Sequence, residues 1–117
     1  MVAQYLDLTA QAQDEGFVQF EASNYDYAVV QIMIGSGDPV NFYGTLNSGA
    51  VQGVTDGNIF TSDDYVSITA VNLATGAYTS FCDGTDGIFK FDVVSRYIII
   101  SPCSDATKVL VMLTKIS

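Results

Sequence analysis

The sequence predicts an all-β fold: a single antiparallel β-sandwich with about eight strands. Three observations predict it. Val and Ile together number 22 and Thr adds 10, whereas Leu numbers 6 and Lys, Arg and Glu together 6, so strand formers far outweigh helix formers. Short apolar segments recur between turns rich in Gly, Asp, Asn and Ser at intervals of roughly 8–15 residues, the spacing of a sandwich or barrel. The 117 residues, 49% hydrophobic, suffice for one core and not for two.

The elements follow in order. Residues 1–16 are polar and weakly patterned, with Leu6, Leu8, Ala10 and Ala12 at intervals, and read either as an arm that gains order on a neighbour or as an edge strand. Residues 17–117 form the sandwich. Phe17 to Ala22 is its first strand, closed by a turn over Ser23 to Asp26. Tyr27 to Ile34 follows, with Ala28, Val30, Ile32 and Ile34 on one face and Tyr27, Val29, Gln31 and Met33 on the other. Gly35-Ser36-Gly37-Asp38-Pro39 stops it.

Val40 to Leu46 alternates again. Asn47 to Asn58, with Gly49, Gly53 and Gly57, reads as a long loop holding a short edge strand at Ala50 to Val54, and Ile59 to Thr61 pairs briefly. One strand is expected from Tyr65 to about Leu73, a tight turn at Ala74-Thr75-Gly76, and an antiparallel return over Ala77 to Phe81. Asp83-Gly84-Thr85-Asp86-Gly87 is the strongest turn signal in the chain. Ile88 to Val94 points Phe89, Phe91 and Val93 inward and Lys90 and Asp92 outward. Tyr97 to Ser101 is nearly all apolar, Pro102 to Thr107 is a loop, and Lys108 to Ile116 closes the chain with apolar residues on both faces.

Strands apolar on both faces, at 27–34, 97–101 and 109–116, imply that the outer face of one sheet is covered, because a sandwich strand ordinarily shows one face to water. With little helix in the chain, the expected cover is another subunit. A homo-oligomer is therefore expected, a trimer being favoured, with Val29, Met33, Ile99, Val109, Val111 and Leu113 at the interface. The rival reading folds the N-terminal segment over that sheet.

Charge excludes several functions. Four cations against 13 acidic residues give a net charge of −9. Nucleic-acid binding and attachment to anionic membranes both need a basic surface, and four scattered cations do not make one. The opening residues lack the basic and apolar regions of a signal peptide, and the longest apolar run, Val109 to Leu113, is far short of a membrane span. Synthesis in a cytoplasm is the expectation.

Catalytic chemistry is not expected. The chain has no His, which removes the usual neutral-pH acid/base group and the commonest metal ligand. Asp63-Asp64 and Asp83/Asp86 are the carboxylate pairs that glycoside hydrolysis would use, but adjacent strand residues diverge and both pairs sit among turn residues, where Asp bonds backbone amides. The 83–87 segment lacks the spaced oxygen ligands of a calcium loop. No cofactor is expected. Tyr25, Tyr27, Tyr43, Tyr65 and Tyr78 could stack on sugar rings, which leaves glycan binding open beside strand and interface packing. Cys82 and Cys103 are read as two ordinary thiols, or as a disulfide formed once the protein leaves the cell.

One stretch carries a family likeness. Gly87 and the segment Ile88-Phe89-Lys90-Phe91-Asp92-Val93-Val94-Ser95-Arg96-Tyr97-Ile98-Ile99-Ile100-Ser101 resemble a motif of tailed-bacteriophage virion proteins. In those proteins a glycine and an aromatic, an "FDV" or "VDV" strand, a short step and a "RYIRI"-like strand precede a final apolar strand. Val40 to Gly49 resembles their "F-x-G-S-x-D/N-G" hairpin, and Phe17 to Glu21 their first core strand, so the likeness spans about residues 17–116. Ile99 departs from it, standing where the family often carries a charge. The resemblance implies a jelly-roll-like structural protein of the virion, a capsid decoration protein, head fibre or tail-associated adaptor whose partners are capsid or tail components. A carbohydrate- or receptor-binding module is the alternative.

Overall fold

Strand-forming sequence becomes two facing antiparallel sheets. The computed structural model describes residues 1–46, 65–92 and 97–116. In chain order the elements are β1 (Val2–Asp7), α1 (Thr9–Glu15), β2 (Val18–Glu21), β3 (Tyr27–Ile34), β4 (Val40–Thr45), β5 (Val66–Ser67), β6 (Ala70–Asn72), β7 (Tyr78–Thr79), β8 (Phe81–Cys82), β9 (Gly87–Phe91), β10 (Tyr97–Ser101) and β11 (Ala106–Lys115). One sheet has the order β1-β11-β3-β9-β6-β7; the other has β2-β10-β4-β5, with β8 also on β4.

Setting aside β6, β7 and β8, the strands nest: β1 pairs β11, β2 pairs β10, β3 pairs β9 and β4 pairs β5, all antiparallel. First with last, second with second-to-last and so inward is the pairing of a jelly roll. The all-β sandwich read from composition and spacing is therefore the fold observed.

Alternation places the core between the sheets. On β3, Ala28, Val30, Ile32 and Ile34 are buried while Tyr27, Val29, Gln31 and Met33 are half-buried, as the sequence pattern anticipates. Val18, Phe20, Val40, Phe42, Ile98 and Ile100 answer from the other sheet. Phe42 stands against both Phe89 and Phe91.

Four expectations change. The strand expected over 65–73 divides, β5 joining one sheet and β6 the other, and the return over 77–81 divides likewise into β7 and β8. These short strands turn the corner of the sandwich, where a chain switching sheets loses its ladder for a residue or two. Residues 1–16 hold the edge strand that one of the two readings expected, but an unexpected helix follows it, and β1 extends the sheet rather than folding over it.

The helix went unforeseen because Ala-Gln-Ala-Gln reads as alternation. Its signal was the run of Ala, Gln and Glu ended by Gly16, which takes a left-handed φ of 80° and donates its amide to the Ala12 carbonyl. Ala12 carries the helix into the core. The fourth change concerns the outer face of the five-stranded sheet, where Ile99 is covered from within the chain by Phe17 and Tyr65, with Tyr43 beside them. Residues 50–54 and 59–61, Asp63, Asp64 and Val93 lie outside the described residues.

Candidate functional site

The surface that stands out is the outer face of the six-stranded sheet. The register sets its side chains in rows. Tyr5 pairs with Met112, Met112 with Val29, Val29 with Lys90, and Lys90 with Val71. The next row runs Asp7, Leu110, Gln31 and Ile88. Met33 stands opposite Lys108 in the row beyond. Tyr5 is 74% exposed, Leu73 50% and Ile88 42%, so this is apolar surface in water.

Two shallow grooves mark it. One, about 430 Å³, lies between Tyr5, Val29, Ile88, Leu110 and Met112. The other, about 470 Å³, lies between Met33, Leu73, Ala74 and Asp86, and the two share Gln31 and Ile88. Charge on the face is nearly balanced. The Lys90 ammonium sits 4.6 Å from the centre of the Tyr27 ring and 3.4 Å from Asp92.

This placement revises the expected interface set. Val29 and Met33 are on the face. Val109, Val111 and Leu113 point the other way, into the core, because they stand opposite Ile32, Val30 and Ala28. Leu110 and Met112 take their place outside. Ile99 is on the other sheet beneath Phe17 and Tyr65. A strand apolar on both faces does not announce which face is inside; only its pairing does.

The other candidate residues are dispersed. Tyr27 and Tyr78 belong to the six-stranded sheet, Tyr43 and Tyr65 lie over the five-stranded one, and the Tyr25 hydroxyl donates to Gln4 Oε1, so the five do not share one shelf. Burial pushes the Tyr43 hydroxyl above its ordinary value.

Asp83 and Asp86 border a polar cleft of about 210 Å³ with Thr79, Phe81 and Thr85. Asp83 Oδ1 accepts from the Thr85 amide at 3.2 Å and hydroxyl at 2.6 Å, which holds its carboxyl below the usual value. Asp86 Oδ1 accepts from the Ile34 amide at 2.8 Å. Both carboxylates thus serve the turn and its anchorage. Among the described residues no cluster of three metal-ligating side chains occurs.

Cys82 and Cys103 are buried and not joined; the structure holds two separate thiols on opposite flanks of β4. Cys82 Sγ donates to the Thr85 carbonyl and Cys103 Sγ to that of Ile100. Burial raises the Cys82 thiol above its ordinary value.

Comparison with known proteins finds the fold. No family model matches the chain, and no curated protein matches it in sequence. Among solved structures, the SPBc2 prophage-derived protein YomS is similar, with a TM-score of 0.64 over 97% of this chain and 95% of that one at 12% identity. The likeness thus covers nearly the full length of both chains. Among the described residues no helix is long and apolar enough to cross a membrane.

Proposed function

We propose that this chain is a non-enzymatic structural protein of a tailed-phage particle, a capsid decoration, head-fibre or tail-associated component that oligomerises and attaches to other virion proteins. The observation that carries the reading is the near-complete match of its jelly roll to a prophage-derived protein. Jelly rolls recur in viral capsids, where two covered sheets give a rigid block with free faces for assembly. The residue 87–101 motif agrees with it. So does an apolar sheet face on a chain whose Asp83 and Asp86 carboxylates accept backbone amide bonds. Fold alone does not decide function, and lectin domains share this architecture.

Quantitative mass spectrometry on purified particles tests the proposal. Tens to hundreds of copies per particle place the chain on the shell, and a few to a dozen or so place it on the tail. Absence from particles while the protein is expressed overturns the reading in favour of a glycan- or receptor-binding module.

A further inference from the structure

We infer that two copies of this chain pack face to face through the outer surface of the six-stranded sheet, around a two-fold axis running parallel to β3. The inference deepens the oligomeric part of the proposed function and rests on it.

Charge selects the occupant. Lys90 and Lys108 stand on this face or at its rim against Asp7, Asp86 and Asp92, leaving it near −1, whereas the whole chain carries −9. Two identical acidic chains repel over most of their surface and least here. The same face presents Tyr5, Val29, Ile88, Leu110 and Met112, so approach removes apolar area from water.

The register supplies complementary contacts about this axis. β11 and β9 flank β3 on its two sides. Along β3, Val29 lies between Met112 and Lys90, and Gln31 between Leu110 and Ile88. Met33 lies beside Lys108, and on its other side the chain reaches Asp86, one residue before the Gly87–Ile32 pair. An axis parallel to β3 exchanges β11 with β9. Leu110 of one copy then meets Ile88 of the other, and Lys108 meets Asp86, each contact made twice as an isologous interface requires. Met112 meets the stem of Lys90. An in-plane axis across the strands through the middle row would instead set Leu110 on Leu110 and Ile88 on Ile88, so the complementary variant pairs below recover only about the axis parallel to β3.

Size sets the strength. Six strands about 4.8 Å apart and three rows about 6.8 Å apart give a flat footprint on the order of 500 Å² per copy, below the roughly 800 Å² of a standard interface. The dimer is accordingly weak in free solution and gains from the high local concentration of an assembly. A two-fold contact also closes at two copies, where the sequence favoured three.

Sedimentation velocity on the full chain, from about ten to several hundred micromolar, reads the association. Wild type is expected to form dimers as concentration rises. L110K and I88E, both at partly exposed positions, are each expected to weaken the dimer roughly tenfold or more. An equimolar mixture of the two is expected to restore it, because the introduced lysine of one chain then faces the introduced glutamate of the other. K108D and D86K form a second complementary pair with the same expectation. Circular dichroism confirms that each variant is folded. A wild type that stays monomeric or forms trimers overturns the inference, as do folded single variants that dimerise like wild type or mixtures that fail to recover. The particle measurement stands apart from this one, so loss of the two-fold contact leaves the virion reading intact.

Discussion

Phe42 of β4 meets Phe89 of β9 edge to face, with ring centroids 5.1 Å apart and planes inclined at 65°, and this contact ties the two sheets together at the centre of the sandwich. Phe91 repeats it from the next inward position at the same distance. Edge-to-face pairs add to the area they bury, so one ring on the five-stranded sheet answers two on the other.

Phe42→Ala is expected to destabilise the domain by about 3–5 kcal/mol, the range for a fully buried phenylalanine whose cavity collapses only in part. Phe42→Leu is expected to cost less than half of that. Urea unfolding followed by circular dichroism measures both, and equal losses would remove the rings' specific role.

Gly84→Ala is expected to cost well over 1 kcal/mol, because Gly84 combines a φ of +87° with backbone on its open side. A Cβ there would lie 2.5 Å from the Asp38 amide nitrogen and 2.7 Å from its carbonyl oxygen. Gly76→Ala, at φ +76° in open space, is the control and is expected to cost only about 1 kcal/mol. Thermal melts that rank the two the other way would contradict the close approach.

Cys82 and Cys103 are expected to react slowly with iodoacetamide in the native state and fully after unfolding, with a melting temperature indifferent to reductant. The Cys82 thiol sits above its ordinary range because it is buried. Its raised folded pKa means that its share of stability is complete below the unfolded thiol pKa and is lost as pH rises through the folded one. A melting temperature lowered by reductant would indicate a disulfide instead.

Asp83 and Asp7 run in the opposite sense. Hydrogen bonds from the Thr85 and Thr9 side chains hold their carboxyls low. What they contribute is present above the unfolded value near 3.8 and is lost as pH falls through the lower folded values. Asp83→Asn is expected to lower the neutral plateau slightly and to leave stability at the acid end nearly unchanged, so that the acid limb below about pH 4 flattens. An unchanged acid limb would show that the turn contributes nothing there.

Net charge predicts a separate effect of pH. Repulsion among the 13 acidic groups eases as pH approaches the isoelectric point near 4.1, and reversible association is expected there. Light scattering across that range measures it; full dispersion throughout would contradict it.

Much of this was legible along the chain. Tyr27–Ile34 has the expected bounds, its inward and outward residues fall where period-two alternation puts them, and the turns at 35–39, 74–76 and 83–86 lie where their Gly, Asp and Pro placed them. The helix over 9–15 was hidden because its Ala and Gln residues alternate like a strand. The strands at 66–72 and 78–82 were found but not their division between sheets, since a corner is a property of what lies on either side of it.

The sequence by itself determined the class of fold, the inward face of strands such as Tyr27–Ile34 and Gly87–Phe91, and the net acidity of the chain. Those are local properties: backbone preference, side-chain period and the sum of charges. Tertiary structure alone decided which face of Val109–Leu113 is buried, what covers Ile99, and how far apart Cys82 and Cys103 lie. A strand apolar on both sides satisfies the hydrophobic effect either way up. Its register against Ala28, Val30 and Ile32 is what turns Val109, Val111 and Leu113 inward and leaves Leu110 and Met112 facing out.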